Sequence, residues 1–176
     1  VPMIIPEVNP QHVQLIDIQR KKRKWITGGI AVKSNCSIQS YVPVLHALRA
    51  YEPYKIIVTT QQAISGAGKT FTSWPEMQDN VIPFIDGEED KSEKEPLKVW
   101  GEIRNEKLYI AKKPIISATC LRVAVSDGHM ASVSVAFRKK VTEQKLIDAI
   151  KKYKNPISKL NLPSSPIKSS CISITN

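Results

Sequence analysis

Two side chains in this sequence could carry covalent chemistry: Cys36 as a nucleophile and His129 as the base that serves it. A thiolate attacks carbonyl carbon readily, and histidine takes and returns a proton near neutral pH. Cys36 stands in Ser34-Asn35-Cys36-Ser37, after the short apolar run Ile30 to Val32 and before Ile38, Val42, Leu45 and Leu48, which fall close to one helical face. That order predicts a short buried strand, the cysteine, then a helix. At a helix N-terminus, unsatisfied N–H groups and the helix dipole favour a thiolate. The alternative for any single cysteine is a small buried hydrophobe. His129 follows Gly128 in the polar stretch Ser126-Asp127-Gly128, an open setting for acid/base work. His12 and His46 fall near or within helical segments and are assigned to structure or solvent.

Arg122 lies seven residues before His129, among Leu121, Val123, Ala124 and Val125. A guanidinium in such a strand is costly to bury unpaired, so it should face a carboxylate. Either an internal acid or the carboxylate of a ligand held by the arginine fork would serve. Glu88 and Lys91, three apart, share a face if helical; they are surface decoration, or an anion and a cation offered to a zwitterionic ligand. No His-x-x-x-His or Cys-x-x-Cys spacing occurs, so no metal site is expected. Cys36, Cys120 and Cys171 are odd in number and far apart, as expected of reduced thiols in a cytoplasmic setting.

Positioning these residues requires a framework that local patterns partly predict. The opening VPMIIP reads as a short strand, with Asn9 capping a helix from Pro10 to about Gln19. Lys55 to Ile64 is β-branched and strand-like, followed by the small-residue loop Ser65 to Gly68. A short helix is expected within residues 72 to 80, an extended stretch from Asn80 to Ile85, and a helix over Glu88 to Glu102 that Pro96 interrupts, as Pro43 interrupts the one after Cys36. Strands at Ile115 to Val125 and Ala131 to Phe137 should meet in a hairpin or tight corner at Ser126 to His129. Thr142 should cap a helix carrying Leu146, Ile147 and Ile150, and a last strand is expected at Cys171 to Ile174. The fold class is α+β, a mixed sheet flanked by helices.

At 176 residues, with 41% apolar and 24% charged, the chain suits one globular core. No run approaches the roughly 18 apolar residues of a membrane span, and no leader pattern is present. The formal charge of +10 and the run Arg20 to Lys24 favour polyanions in principle, but such a run is commonly a solvated helix end. Without an aromatic stacking set or a recognition motif, no nucleic-acid partner is expected.

Four segments in order, SNCS at 34 to 37, TQQAISGAG at 60 to 68, DNVIPFIDGEEDK at 79 to 91 and CLRVAVSDGH at 120 to 129, together with IPEVNPQHV near the start, resemble the signatures of aspartate-semialdehyde dehydrogenases, in their archaeal and fungal branch. The resemblance extends to LPSSP at 162 to 166. It departs from the usual pattern in the SNC wording and in Met130 after His129. It implies the C-terminal catalytic fold of the glyceraldehyde-3-phosphate dehydrogenase-like enzymes, and NADP-dependent reductive dephosphorylation of L-4-aspartyl phosphate to aspartate 4-semialdehyde, on the way to lysine, methionine and threonine. By the same resemblance Cys36 forms a thioester and His129 is the acid/base. Asn35 helps bind phosphate or oxyanion, Gln62 contacts substrate, Glu88 and Lys91 bind its amine and phosphate, Arg122 holds its carboxylate, and Ser65, Gly66 and Ala67 touch the cofactor.

No strand runs into a Gly-x-Gly-x-x-Gly turn, so NADP is expected to be held mainly by a domain outside these residues, and the chain alone is expected to be inactive. Residues 1–176 then form one catalytic and dimerisation domain, with 1–27 as the end of, or linker from, the dinucleotide-binding domain and 161–176 as the start of a return segment. A homodimer or tetramer is expected. The competing readings are a sister reductase such as malonyl-CoA reductase, and a non-catalytic dimerising fragment.

Overall fold

Strand β1 (Met3–Ile4) pairs in parallel with β2 (Val32–Lys33), and between them a 3-10 turn at Pro10–Gln14 runs into α1 (Leu15–Arg23). The computed structural model describes residues 1–160 and Pro163; the expected strand at Cys171 to Ile174, Cys171 itself and all of LPSSP but its first proline lie outside these. Further along come α2 (Val42–Ala47), β3 (Pro53–Gln62), β4 (Val81–Ile82) and α3 (Glu88–Val99). A hairpin of β5 (Glu102–Arg104) and β6 (Lys107–Tyr109) precedes β7 (Ile115–Val123), β8 (His129–Phe137) and α4 (Glu143–Lys152).

The main sheet has the order β4-β7-β3-β8, with β3 parallel to β7 and antiparallel to β8, and β4 antiparallel to β7. It is the mixed sheet of the expected α+β class. In β3 every second residue, Ile56, Val58, Thr60 and Gln62, is buried, as a strand with one covered face requires. Ile56, Val58 and Ile116 of that face pack with Ile38, Tyr41, Val42 and Leu45 and with Val99 and Trp100 at the end of α3. Basic residues Arg20 to Arg23 form the last turn of α1, the solvated helix end the charge run suggested.

Strands β7 and β8 do not form a hairpin, because β3 lies between them and pairs with both. The connection is a corner that steps over one strand. Asn9 stands at the expected cap position, but its side chain accepts from the Ile5 N–H at 2.8 Å and donates to the Met3 carbonyl at 2.9 Å and to His12 Nδ1 at 2.8 Å. His12 Nε2 then reaches the Gly101 carbonyl at 2.9 Å, so this buried histidine ties the opening segment to the end of α3. The apolar run before the cysteine is exposed, Ile30 by 47% and Val32 by 38%, and its strand is shifted to Val32–Lys33. Residues 72 to 80 hold only a 3-10 turn, Pro75–Met77. The β5–β6 hairpin was not expected; its signal is Asn105-Glu106, both in the left-handed conformation that a two-residue turn demands.

Pro96 sits inside α3 without breaking it. The carbonyl it leaves without an intrahelical donor is that of Ser92, and the Tyr41 hydroxyl donates to it at 3.0 Å. On an adjoining stripe of α3, the Glu93 and Glu89 carboxylates accept from the Ala118 N–H at 3.1 Å and the Cys120 N–H at 3.3 Å of β7. Four residues of helix and two of strand both rise about 6 Å, so the spacings match. Strand β4 pairs with β7 only at Val123 and Arg122, and α3 covers the edge beyond it.

Candidate active site

Asn35 Oδ1 accepts from the Ser37 N–H at 2.8 Å and from Ser37 Oγ at 2.7 Å, closing a tight turn around Cys36. The Asn35 N–H donates to Glu95 at 2.7 Å and its side-chain amide to Glu88 at 2.7 Å. Cys36 is exposed, and its Sγ lies 3.0 Å from His129 Nε2 across 93 positions of sequence. The expected helix N-terminus is not what faces the thiol. A three-residue 3-10 turn, Ile38–Ser40, follows, and α2 starts only at Val42 with Pro43 in its first turn, where a residue lacking an N–H fits. An imidazole nitrogen at hydrogen-bond distance faces the thiol instead.

His129 is the first residue of β8, half-buried and in regular strand pairing, not in an open polar corner. Its β3 partner is Gln62, and the β7 partner of Gln62 is Arg122. Thus Arg122, Gln62 and His129 form one row across three strands. Because β3 separates β7 from β8, this row exists where a hairpin would have put Arg122 and His129 on adjacent strands. His129 Nδ1 lies 2.7 Å from the Gly128 carbonyl, and the Ala63 N–H, which also serves that carbonyl, is 3.3 Å from the same nitrogen. The shorter contact with an acceptor places the proton on Nδ1, which leaves the Nε2 lone pair facing the thiol.

Arg122 is 6% exposed and donates from Nη1 to the Ala63 carbonyl at 2.7 Å. None of the ion pairs among the described residues includes it, so the internal salt bridge that could have explained its place is not there. Buried Gln62 donates to Thr60 Oγ and Glu88, each at 3.3 Å. Glu88 is thereby the hub: Asn35, Gln62 and Lys91, the last at 2.9 Å, all donate to it. Burial pushes the Glu88 carboxyl up, but hydrogen bonds from Lys91, Asn35 and Gln62 outweigh it and hold the group below the usual carboxylate range. Lys91 is held above its ordinary value by Glu88, so the pair is charged.

Ser65, Gly66 and Ala67 lie in an exposed 3-10 turn, Ile64–Ala67, not an irregular loop. A side chain at Gly66 would put its Cβ 2.9 Å from Arg122 Nη1 and 3.1 Å from His129 Cε1, so the glycine lets this backbone lie close to both without displacing them. All ten residues singled out in the sequence therefore gather at one end of the sheet. Sequence reasoning missed Glu95 and Ser92. The available signal was Glu88, Ser92 and Glu95 at helical spacing, one face of α3.

Residues 44–168 match the model of the family described as semialdehyde dehydrogenase, dimerisation domain. The chain belongs to that family. Among the relatives of this semialdehyde dehydrogenase domain, the aspartate-semialdehyde dehydrogenase of Archaeoglobus fulgidus is 42% identical over 168 residues, covering 96% of this chain and 47% of its own length. That of Aspergillus fumigatus is 38% identical over 172 residues, covering 94% and 47%. The Candida albicans aspartate semialdehyde dehydrogenase solved with NADP superposes with a TM-score of 0.77 at 29% identity, over 94% of this chain and 48% of that one. The chain thus spans about half the length of the curated relatives it matches, and its sheet and helices are those of a semialdehyde dehydrogenase dimerisation domain.

Proposed function

We propose that this domain is the catalytic and dimerisation part of an aspartate-semialdehyde dehydrogenase, which converts L-4-aspartyl phosphate to aspartate 4-semialdehyde through a thioester on Cys36. The observation that carries the reading is the 3.0 Å contact between Cys36 Sγ and His129 Nε2 beside the row of Gln62 and the unpaired, buried Arg122. A nucleophile, its base and a buried guanidinium without an ion-pair partner among the described residues suit, in one place, an acyl transfer on a carboxylate-bearing substrate.

In the first half-reaction His129 Nε2 takes the thiol proton as Sγ attacks the acyl carbon, and phosphate leaves as the thioester forms. Asn35 uses one amide hydrogen on Glu88, and the other is free for the developing oxyanion. Arg122 holds the substrate carboxylate, Glu88 its amine, and Lys91 the departing phosphate; Gln62 lies beside the thioester. When bound, NADPH would supply the hydride that reduces this thioester. The thiohemiacetal anion so formed would collapse to aldehyde and thiolate, and the proton that His129 took from the thiol returns to sulfur. Ser65, Gly66 and Ala67 fit one edge of NADP, since the bare Gly66 backbone lies against Arg122 and His129, but nothing in the turn fits the pyrophosphate.

Self-association follows from the other face of the sheet. Ile57, Ile115 and Met130 are 50%, 56% and 63% exposed and, by strand register, share that face with Ser117, Ser132 and Ser134. A symmetric homodimer would cover it. Sedimentation of the chain should give a dimer at micromolar concentration, and a clean monomer would count against this face. The enzymatic reading is tested by joining the domain to a dinucleotide-binding domain of an aspartate-semialdehyde dehydrogenase and following NADPH, phosphate and semialdehyde, with malonyl-CoA as the competing substrate. Turnover that survives Cys36→Ala would overturn it.

A further inference from the structure

Among the described residues the Cys36 side chain makes one polar contact, the one with His129, so its position depends on its neighbours. Both neighbours are tied to a single face of α3. The Asn35 N–H donates to the Glu95 carboxylate at 2.7 Å, a charge-assisted bond to backbone. Ser37, fully buried, donates from Oγ to Asn35 Oδ1 at 2.7 Å and lies 3.4 Å from the Oγ of fully buried Ser92, which in turn lies 3.6 Å from Cys120 Sγ. Glu88, Ser92 and Glu95 are spaced four and three apart, so one stripe of α3 meets the residues on either side of the nucleophile. The neighbouring stripe, Glu89 and Glu93, makes similar bonds to β7, away from the thiol.

We propose that Glu95, supported by Ser92, is the positioning residue that fixes the Asn35–Ser37 turn so that the Cys36 thiol lies against His129; this rests on the reading of Cys36 and His129 as nucleophile and base. The carboxylate of Glu95 acts as a hydrogen-bond acceptor. The sign of the effect separates this role from its charge. Removing a nearby anion favours a thiolate and would speed alkylation, whereas releasing the turn lets the thiol leave its base and slows it.

The test is the rate of iodoacetamide labelling of Cys36, read by peptide mapping near pH 7 and near pH 9.5, in the unmodified chain and in Glu95→Ala, Glu95→Gln, Ser92→Ala, Glu93→Ala and His129→Ala. With Glu95→Ala the neutral rate, divided by the alkaline rate, should fall about tenfold, because the fraction of activated thiol depends on the histidine contact. Glu95→Gln retains an acceptor oxygen and should stay within about twofold, while Ser92→Ala should lose about threefold. Glu93→Ala, which removes a similar bond on the β7 side, should leave the ratio unchanged. A Glu95→Ala ratio equal to the unmodified one, with His129→Ala slowed, overturns the positioning role alone. An unchanged His129→Ala ratio overturns the nucleophile and base reading itself. Equal losses in Glu95→Ala and Glu95→Gln, or a Glu93→Ala loss as large as that of Glu95→Ala, also overturn the proposal. If Glu95→Ala does not fold, Ser92→Ala and Glu95→Gln decide it: a full ratio in Ser92→Ala, or a tenfold loss in Glu95→Gln, sinks it.

Discussion

The turn at Cys36 and the middle of β7 at Cys120 present the same side chain in opposite settings, although both are held by α3. Cys36 is exposed, stands on a turn whose flanking residues are clamped, and faces an imidazole nitrogen. Cys120 is fully buried in a regular strand, its N–H held by Glu89 and its sulfur near Ser92. One helix thus makes two sets of contacts through adjoining stripes, holding the residues that flank an exposed thiol on one side and shielding a strand edge on the other. A thiol becomes chemistry when a base and solvent access meet it, and packing when neither does.

The sharpest way to break this comparison is to delete each sulfur in turn. In the domain joined to a dinucleotide-binding domain, Cys36→Ala should lower kcat by about 10⁴-fold or more, as loss of a nucleophile does. Cys120→Ala should leave kcat within about twofold while costing on the order of 1 kcal/mol in urea unfolding, as a small buried truncation does. A kinetic defect in Cys120→Ala of the same size would erase the distinction. Next in size is Arg122→Lys, which removes the planar fork from the row shared with Gln62 and His129. Steady-state kinetics should show KM for the acyl phosphate raised about 10- to 100-fold. An unchanged KM would mean that the fork does not hold the carboxylate.

On the shielding side of α3, Glu89→Ala and Glu93→Ala should each cost about 1 kcal/mol of stability by leaving a strand N–H without its acceptor. No loss in the urea midpoint of either variant would show that solvent satisfies that edge equally well. The smallest effect concerns pH. Burial, and then the charge of Arg49, lower His46 from its ordinary value of 6.5, so the unfolded chain takes up this proton before the folded one. Stability from His46 is therefore full above about pH 6.5 and declines as pH falls towards its folded value. Glu88, held low, keeps its contribution until pH drops below about 4.5, its ordinary value. Urea midpoints at stepped pH should decline first between these limits, and His46→Gln should flatten that decline.

Much of the framework was legible because local rules governed it. β-Branched residues marked β3, and helix-forming residues from Glu88 marked α3, although Pro96 was expected to interrupt it; the Tyr41 hydroxyl serves the carbonyl that the proline leaves free. The residue types of the site were legible too. What failed was any inference that needed a neighbour from elsewhere in the chain. The dipole argument for Cys36 assumed a helix where Pro43 delays one, and the supposed open corner at His129 is the start of a strand already paired with β3.

By itself, the sequence determined which side chains could do chemistry, where the strand that became β3 and the helix that became α3 would fall, and the segments that carry the resemblance to aspartate-semialdehyde dehydrogenases. Tertiary structure alone decided that β3 lies between β7 and β8, aligning Arg122, Gln62 and His129, and that Cys36 meets a histidine 93 positions away. It also decided that the Gly66 backbone lies tight against Arg122 and His129, where a Cβ would crowd both side chains. The physical reason is that periodicity reports which residues share a face of one element, whereas strand order and the partners of a turn are set by the lowest free energy of the whole packing, to which no local pattern has access.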